Sequence, residues 1–258
     1  MKIAVCVKLV PATTAVIRVN ADGSGLDLAG VEMVLSPYDE YALEEALKVR
    51  DKAAGSEILV VSAGSDASMK VLEHAYALGV DNCLLVKAPE AGASAAAWCA
   101  AAVLKPYAPS LVFCGRQAID DDQWLFPGHL AELLDMPHVT AASAFELSPA
   151  GDKATCKRRI EGGEETIELA LPAVVSCDKG LNEPRSPTLK GRLNAKKKQV
   201  AVKTPAEMGV DAAALAPSLK IEKYAPPASK SPGKVLTVSP KDAAKELVRL
   251  LREEAKVI

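Results

Sequence analysis

The chain has 258 residues, of which 25% are charged, and its formal net charge is -2. This length can bury a sizeable core, and the balanced charge excludes a protein-wide field for nucleic acid. Aromatic residues make up only 4%, which disfavours a base-stacking surface for single strands. Any charged binding surface must therefore be local.

Six cysteines occur singly along the chain, without a C-x-x-C pair. This pattern favours reduced core residues, and the 3 histidines do not lie at ligand spacing from them, so no metal site is predicted. The chain starts in a strand-like run rather than a signal peptide, and no apolar run reaches the roughly 18 residues of a membrane helix. We expect no membrane insertion and a cytoplasmic location, or an organellar one after processing.

Strand and helix patterns alternate from the start of the chain to about residue 140. Strands are predicted at residues 3–10, 58–61, 83–86 and 111–114, with a short hairpin over 16–34, and helices at 37–49, 69–78 and 93–104. This alternation implies parallel pairing with right-handed crossovers. The predicted fold class is α/β, with a doubly wound, mostly parallel, Rossmann-like sheet.

The first helix has a start signal in Ser36-Pro37-Tyr38-Asp39. Serine is a preferred N-cap, proline fits the first helical position, and a carboxylate in the first turn favours the helix dipole. We therefore predict that Ser36 and Asp39 satisfy the free N–H groups at this helix start.

The apolar run 111–114 ends at Gly115, and polar residues follow: Arg116, Gln117 and three aspartates at 120–122. In open α/β sheets, ligands bind outside the carboxyl ends of the strands at a topological switch point. The loop is therefore a candidate binding site, the alternative being a solvated loop before a helix. No G-x-G-x-x-G or P-loop motif is present, which disfavours an adenylate-forming or hydrolytic enzyme.

The second half of the chain changes pattern. Residues 140–147, 154–160 and 166–171 are predicted to form an antiparallel extension, and 173–176 a further buried strand. Residues from about 204 to 234 are rich in proline and alanine, and Ser239-Pro240 starts a final helix with an apolar stripe. We predict a domain over 1–200 and a C-terminal arm over 201–258, whose helix needs a surface on this domain or a partner subunit.

Residues 181–198 are predicted to form an exposed, proline-stiffened segment that carries Leu189 inside a basic rim. An apolar anchor among lysines suits docking to an acidic protein surface, although a solvated face is the alternative. Nucleic acid is disfavoured because aromatic residues are not interleaved. The candidate partner-binding residues are Pro184, Arg185, Thr188, Leu189, Lys190, Lys196, Lys197 and Lys198.

These segments, in this order, resemble the β subunit of electron transfer flavoprotein along essentially the whole chain. The resemblance rests on residues 5–8 with Pro11, 36–45, 115–122 and 172–198. It implies an adenine-nucleotide-binding, Rossmann-like subunit of a heterodimer whose α subunit holds most of the FAD, while this subunit contributes a surface against the isoalloxazine. It also implies a second bound nucleotide, AMP in most members and a second FAD in electron-bifurcating ones. The Leu189 segment is similar to the family's recognition loop, which anchors acyl-CoA dehydrogenase-type partners.

The resemblance also implies which residues contact the second nucleotide. The matching positions are Cys6, Ser36, Pro37, Tyr38, Asp39, Ala63, Gly115, Arg116, Gln117, Ala118, Ile119, Asp120, Asp122, Gln123, Trp124, Leu125 and Phe126. At 123–126, relatives carry small polar residues that hold the phosphate, whereas this chain has bulky side chains; backbone N–H groups at a helix start remain as donors. AMP, a second FAD and neither nucleotide therefore stay open.

Three functions are consistent with the sequence. The resemblance implies an electron carrier rather than a stand-alone catalyst, passing electrons from acyl-CoA dehydrogenase-type flavoenzymes to a quinone reductase or another acceptor. An electron-bifurcating flavoprotein subunit and a non-enzymatic nucleotide-binding regulatory module are the alternatives. The lack of a nucleophile, base or metal constellation in the sequence suits a carrier, because a flavin would supply the redox chemistry.

Overall fold

The computed structural model describes residues 1–88, 92–217, 219–229 and 233–258. The strands are β1 (Lys2–Cys6), β2 (Leu9–Pro11), β3 (Arg18–Val19), β4 (Leu26–Asp27), β5 (Met33–Leu35), β6 (Glu57–Gly64), β7 (Asn82–Lys87), β8 (Leu111–Gly115), β9 (His138–Leu147), β10 (Lys153–Ile160), β11 (Gly163–Ala170), β12 (Ala173–Cys177) and β13 (Ala201–Lys203). The helices are α1 (Pro37–Lys52), α2 (Met69–Leu78), α3 (Ala93–Tyr107), α4 (Leu125–Leu134), α5 (Leu189–Ala195), α6 (Ala212–Leu215) and α7 (Pro240–Glu253). In these ranges no helix is both long and apolar enough to cross a membrane.

One sheet of 9 strands organises the fold, in the order β11-β10-β9-β12-β8-β1-β6-β7-β13. The strands from β9 to β13 in that order pair in parallel, and β10 and β11 form the antiparallel extension. From β1 the chain moves outward through β6 and β7 and then returns to β8 on the other side of β1. The switch point therefore lies between β1 and β8, and the predicted α/β class is confirmed.

Helices cover both faces of the central strands. Ile3 and Val5 of β1 face a cluster that includes Leu43 of α1 and Leu72 of α2. The alternate residues of β1 face a second cluster that contains α3 and α4 side chains. Because side chains alternate along a strand, a run that is apolar at every position is buried on both faces. This arrangement explains why the parallel strands read as continuous apolar runs.

The structure differs from the sequence prediction at several elements. The predicted strand 3–10 is divided into β1 and β2, which lie in different sheets. Only the inner part of the hairpin predicted over 16–34 forms, because β3 pairs with β4. Strand β5 pairs instead with β2, with Val10 opposite Val34. Leu189 begins the helix α5 instead of lying in a loop. Residues 201–203, which follow the segment 181–198, form β13. This strand pairs with β7 at the sheet edge, with Ala201 opposite Leu84. For β5 and β13 the partner strand is distant in sequence, so local patterns did not reveal the pairing.

By internal contacts the chain divides into two compact units, Met1–Arg18 with Asp27–Glu222, and Val19–Leu26 with Lys223–Ile258. The first unit contains the large sheet. The second contains α7, which has Ser239 as its N-cap and Pro240 as its first residue. The Ser239 hydroxyl accepts from the N–H of Asp242 at 3.3 Å. The predicted start of this helix is therefore confirmed.

Candidate functional site

A cleft lies at the switch point, beside the carboxyl ends of β1, β6 and β8. Small residues of α3 form one wall and the segment from Gln123 to Phe126 forms another. Of the residues predicted to contact a nucleotide, those that line the cleft are Cys6, Asp39, Ala63, Gln117, Ala118, Gln123, Trp124, Leu125 and Phe126. The predicted residues outside its lining are Ser36, Pro37, Tyr38, Gly115, Arg116, Ile119, Asp120 and Asp122.

Sequence reasoning missed several lining residues. Lys8 and Asp121 line the cleft, as do Ala93, Ala96 and Ala100 of α3. Strand alternation could have placed Lys8 on the same side as Cys6. The alanines recur at three- and four-residue spacing, which puts them on one helix face. That face was not assigned to the site because small apolar residues carry no chemical signal.

Asp39 is a buried carboxylate that joins the ends of two strands. Its Oδ2 accepts from the N–H of Lys8 at 2.8 Å, and its Oδ1 accepts from the N–H of Gly115 at 2.9 Å. Burial raises the pKa of Asp39 to about 7, although these two N–H donors and the charge of Lys8 oppose the shift. A Cβ at Gly115 would collide with Asp39 and Tyr38. Asp39 and Gly115 therefore fix the close approach of α1 to the β8 end.

The predicted capping role of Ser36 is wrong. Ser36 occupies the N-cap of α1 and Pro37 follows it, but the Ser36 side chain makes no capping hydrogen bond. Its buried Oγ has no hydrogen-bond partner among the residues that the structure describes. Asp39 turns away from its own helix because both of its oxygens accept from strand-end N–H groups.

Lys8 neutralises part of the acidic loop that follows β8. Its Nζ lies 2.9 Å from Asp120 Oδ1 and 3.2 Å from Asp121 Oδ2. Burial lowers the pKa of Lys8, but the ion pairs with the two aspartates outweigh it and raise that pKa above its usual value. Next to them, the side-chain amide of Gln117 donates to Asp122. The charged groups of this loop therefore largely satisfy one another.

Arg116 lies between two aromatic rings at the edge of the cleft. Its guanidinium carbon is 4.6 Å from the Tyr38 ring centroid and 4.5 Å from that of Trp124, within cation–π range. It also donates to Asp178 and to the Tyr38 hydroxyl, each at 2.9 Å. Trp124 has a φ of 57°, a left-handed conformation that is rare for a bulky residue. The guanidinium therefore holds Trp124 at the cleft mouth.

The residues of the cleft do not fit a nucleotide. Its internal volume is about 70 Å³, whereas a cavity that binds benzene has about 150 Å³. Pro127 occupies the third position of α4 and supplies no N–H, and Trp124 at the N-cap makes no side-chain cap. One feature would suit a base: the buried Gln117 Oε1 has no partner among the described residues. A single acceptor does not replace space and phosphate donors.

The predicted docking segment presents an apolar side chain to solvent. Leu189 is 76% exposed at the start of α5, and the next turn carries Leu193 at 54%. Thr188 caps the helix by accepting from the N–H of Gly191 at 3.0 Å. At Gly191 a Cβ would collide with the carbonyl oxygen of Ala77 in α2. The glycine thus lets α5 lie directly against α2.

Two of the predicted partner-binding residues hold this segment in place. Arg185 donates to both carboxylate oxygens of Glu44, at 2.8 and 2.9 Å, and to Asp51 at 3.0 Å. Lys198 donates to the carbonyl oxygens of Val80 and Asp81 at 2.6 and 3.1 Å. The remaining predicted residues are Pro184, Thr188, Leu189, Lys190, Lys196 and Lys197, and most of them are exposed.

The cysteines are structural rather than reactive. All six are free and buried, as the sequence predicted. Burial raises the thiol pKa of both Cys83 and Cys156 to about 12, and a thiol is nucleophilic only as a thiolate. Among the residues that the structure describes, no group of three or more His, Cys, Asp or Glu side chains could hold a metal ion.

The fold and site define a Rossmann-like α/β protein with a cleft at its switch point and an exposed basic segment around Leu189. Residues 25–208 match the electron transfer flavoprotein domain. An electron transfer flavoprotein subunit beta from Syntrophomonas wolfei is 37% identical, covering 100% of this chain and 98% of the relative. That of Bradyrhizobium diazoefficiens is 39% identical over 100% of both, and that of Homo sapiens is 38% identical over 82% of this chain and 84% of its own. The chain belongs to the electron transfer flavoprotein β-subunit family.

Proposed function

We propose that this chain is the β subunit of a heterodimeric electron transfer flavoprotein. The complex would carry electrons between acyl-CoA dehydrogenase-type flavoenzymes and a quinone reductase or another acceptor, as in fatty acid β-oxidation. FAD, held mainly by an α subunit, would supply the redox chemistry, and this chain would supply orientation and docking. Similarity to relatives of that name along the full chain carries the proposal.

The docking segment supports the proposal independently. Leu189 is an exposed apolar side chain, and Lys190, Lys196 and Lys197 are exposed cations of the same segment. A central apolar contact gives affinity, while a charged rim steers an acidic partner. Because Arg185 and Lys198 tie both ends of the segment to the sheet unit, the anchor is presented in a preorganised form.

The C-terminal arm, residues 201–258 in this proposal, would pack on the α subunit. Its helix α7 has an apolar stripe that includes Leu247 and Val248, which are 50% and 47% exposed. An amphipathic helix gains most of its stability by burying such a face. We place the heterodimer in the cytoplasm, since free buried cysteines suit a reducing compartment.

Co-expression with an α subunit tests the proposal. We expect a yellow heterodimer whose flavin absorbance bleaches when an acyl-CoA dehydrogenase and its substrate are added. A pure heterodimer without flavin would contradict an electron-transfer role. A stable monomer that binds nucleotide without flavin would instead indicate the regulatory module, and two FAD per heterodimer would indicate the bifurcating kind.

A further inference from the structure

We propose that Trp124 and Phe126, rather than a second nucleotide, close the cleft at the switch point, so that the heterodimer carries FAD and no other nucleotide. The inference rests on the proposed function only for the presence of FAD. The lining residues lie mainly on β1, β6, β8, α3 and the start of α4.

The first argument is steric. Phe126 is partly buried and packs against the cluster that contains α3 and α4, and Trp124 lines the cleft with it. The remaining volume is about 70 Å³, below the roughly 150 Å³ of a benzene-binding cavity. An adenine ring with a ribose and a phosphate is larger than benzene. A nucleotide could enter only if one or both aromatic side chains moved away.

The second argument concerns the phosphate. Its negative charge needs cationic or N–H donors, but Lys8 already pairs with Asp120 and Asp121. Arg116 does not line the cleft and donates to Asp178. The first turn of α4 includes a proline, at 127. Asp121 also lines the cleft, so a phosphate there would meet a carboxylate of like charge.

The third argument is that Trp124 is held in position. Its left-handed backbone, with a φ of 57°, is a conformation that persists only where surrounding contacts determine it. The contacts are the Arg116 guanidinium, 4.5 Å from the ring, and the pairing of that guanidinium with Asp178. The closing side chain is therefore clamped by the fold and does not hang loosely over the cleft.

Nucleotide analysis of the purified heterodimer is the first part of the test. The complex is denatured, and the released nucleotides are identified and counted by mass spectrometry. We expect FAD alone. Release of AMP or of a second FAD in stoichiometric amount overturns the inference, while loss of the first FAD would count only against the proposed function. The two failures are therefore distinguishable in one sample.

Opening the cleft is the second part. Trp124→Asn suits the left-handed backbone and is a good N-cap, and Phe126→Ser removes the second ring. We expect AMP, titrated calorimetrically into the heterodimer, to bind Trp124→Asn at least tenfold more tightly than wild type, and the double variant more tightly still. The single variant keeps the test decisive if the double variant folds poorly. An affinity equal to that of wild type would overturn the inference.

A matched control uses the other tryptophan. The chain has 2 tryptophans, and Trp98 lies on α3 outside the cleft lining. Trp98→Phe should leave AMP affinity at the wild-type level, and it makes Trp124 the one tryptophan that this chain contributes to the emission. In that background, we expect millimolar AMP to leave the emission of Trp124 unchanged. A saturable change in emission would show that AMP enters the cleft and displaces the ring.

Discussion

At the scale of single residues, Asp39 connects the fold to the cleft through two backbone hydrogen bonds. Its partners Lys8 and Gly115 are 31 and 76 residues away in sequence. The local sequence therefore predicted the helix start at Ser36-Pro37 but assigned both polar side chains to capping. Local patterns identify a helix terminus, whereas the distant N–H donors that bind Asp39 can be identified only after the strands are placed.

Replacing Asp39 with asparagine should change how stability depends on pH. The folded pKa of about 7 exceeds the usual value near 3.9, so the folded protein binds more protons than the unfolded chain between those values. Wild type should therefore lose roughly 3 kcal/mol of unfolding free energy from this group between pH 5 and pH 8. The asparagine of Asp39→Asn does not titrate, so the variant does not lose this free energy as the pH rises. The variant should therefore be more strongly destabilised relative to wild type at pH 5 than at pH 8.

Urea denaturation at pH 5 and at pH 8 measures the difference in unfolding free energy between wild type and Asp39→Asn. Asp66→Asn is a suitable control because the Asp66 side chain is 75% exposed. If the Asp39 variant and wild type differ by the same free energy at both pH values, Asp39 does not carry a raised pKa.

Replacing Arg185 should destabilise the docking segment through Glu44. The Glu44 side chain is only 7% exposed and that of Arg185 is 38% exposed, so part of the pair is screened by solvent. We expect Arg185→Gln to lower the unfolding free energy by about 1–2 kcal/mol, because the nearly buried Glu44 carboxylate loses two guanidinium donors and keeps only the backbone N–H of residue 185. Arg185→Lys should recover little of this loss, since one ammonium cannot match the fork of the guanidinium.

A double-mutant cycle with Glu44→Gln, measured by urea denaturation, separates this pair from other effects. The double variant should be less destabilised than the sum of the two single variants. Strict additivity would mean that the observed hydrogen bonds do not couple the two residues.

At the scale of elements, the position of α5 depends on the absence of a Cβ atom at Gly191. At a solvent-exposed position inside a helix, changing glycine to alanine stabilises the helix by about 1 kcal/mol. At Gly191 the added Cβ meets the carbonyl oxygen of Ala77, so we expect the opposite sign, a loss of roughly 1–3 kcal/mol from overpacking. Thermal or urea unfolding of Gly191→Ala measures it. A more stable variant would show that α5 does not lie against α2.

Leu189→Ala tests the docking role of the same helix. Loss of a central apolar anchor should weaken recognition by roughly 2 kcal/mol, which is about thirtyfold in kcat/KM for reduction by an acyl-CoA dehydrogenase. Flavin content and stability should not change, because Leu189 is 76% exposed. Val16→Ala, at a residue that is 77% exposed, is the matched control and should react at the wild-type rate. Equal rates for both variants would exclude Leu189 as the anchor.

The elements differ in how far sequence alone could predict them. The central strands and α1 to α3 were found because strong apolar runs and helical spacing lie within each segment. The helix α5 was missed because a short segment with glycine and two nearby prolines has weak helical propensity. Strand β13 was missed because three residues at a sheet edge are recognisable only by their partner β7. In the cleft, Asp39 and Gln117 were predicted, whereas Lys8, Asp121 and the α3 alanines were not.

At the scale of the whole molecule, α7 exposes an apolar face that the proposed heterodimer should bury. Leu247 and Val248 are about half exposed, so a charge there costs little in the isolated chain. Within an interface, a desolvated and unpaired carboxylate is costly. We therefore expect Leu247→Glu to abolish or strongly weaken assembly with the α subunit.

Size-exclusion chromatography of the co-expressed pair, with flavin absorbance recorded across the profile, measures this assembly. Leu247→Glu should elute as separate subunits. This chain should then carry no flavin, because in the proposed function FAD is held mainly by the α subunit. Lys241→Glu places a carboxylate at an exposed polar position of α7, with a net charge change of two units instead of one, and should leave the heterodimer intact. Co-elution of Leu247→Glu with the α subunit at wild-type flavin content would show that α7 is not part of the interface. The predictions for Leu189 and for the cleft would be unaffected, since they depend on α5 and α4.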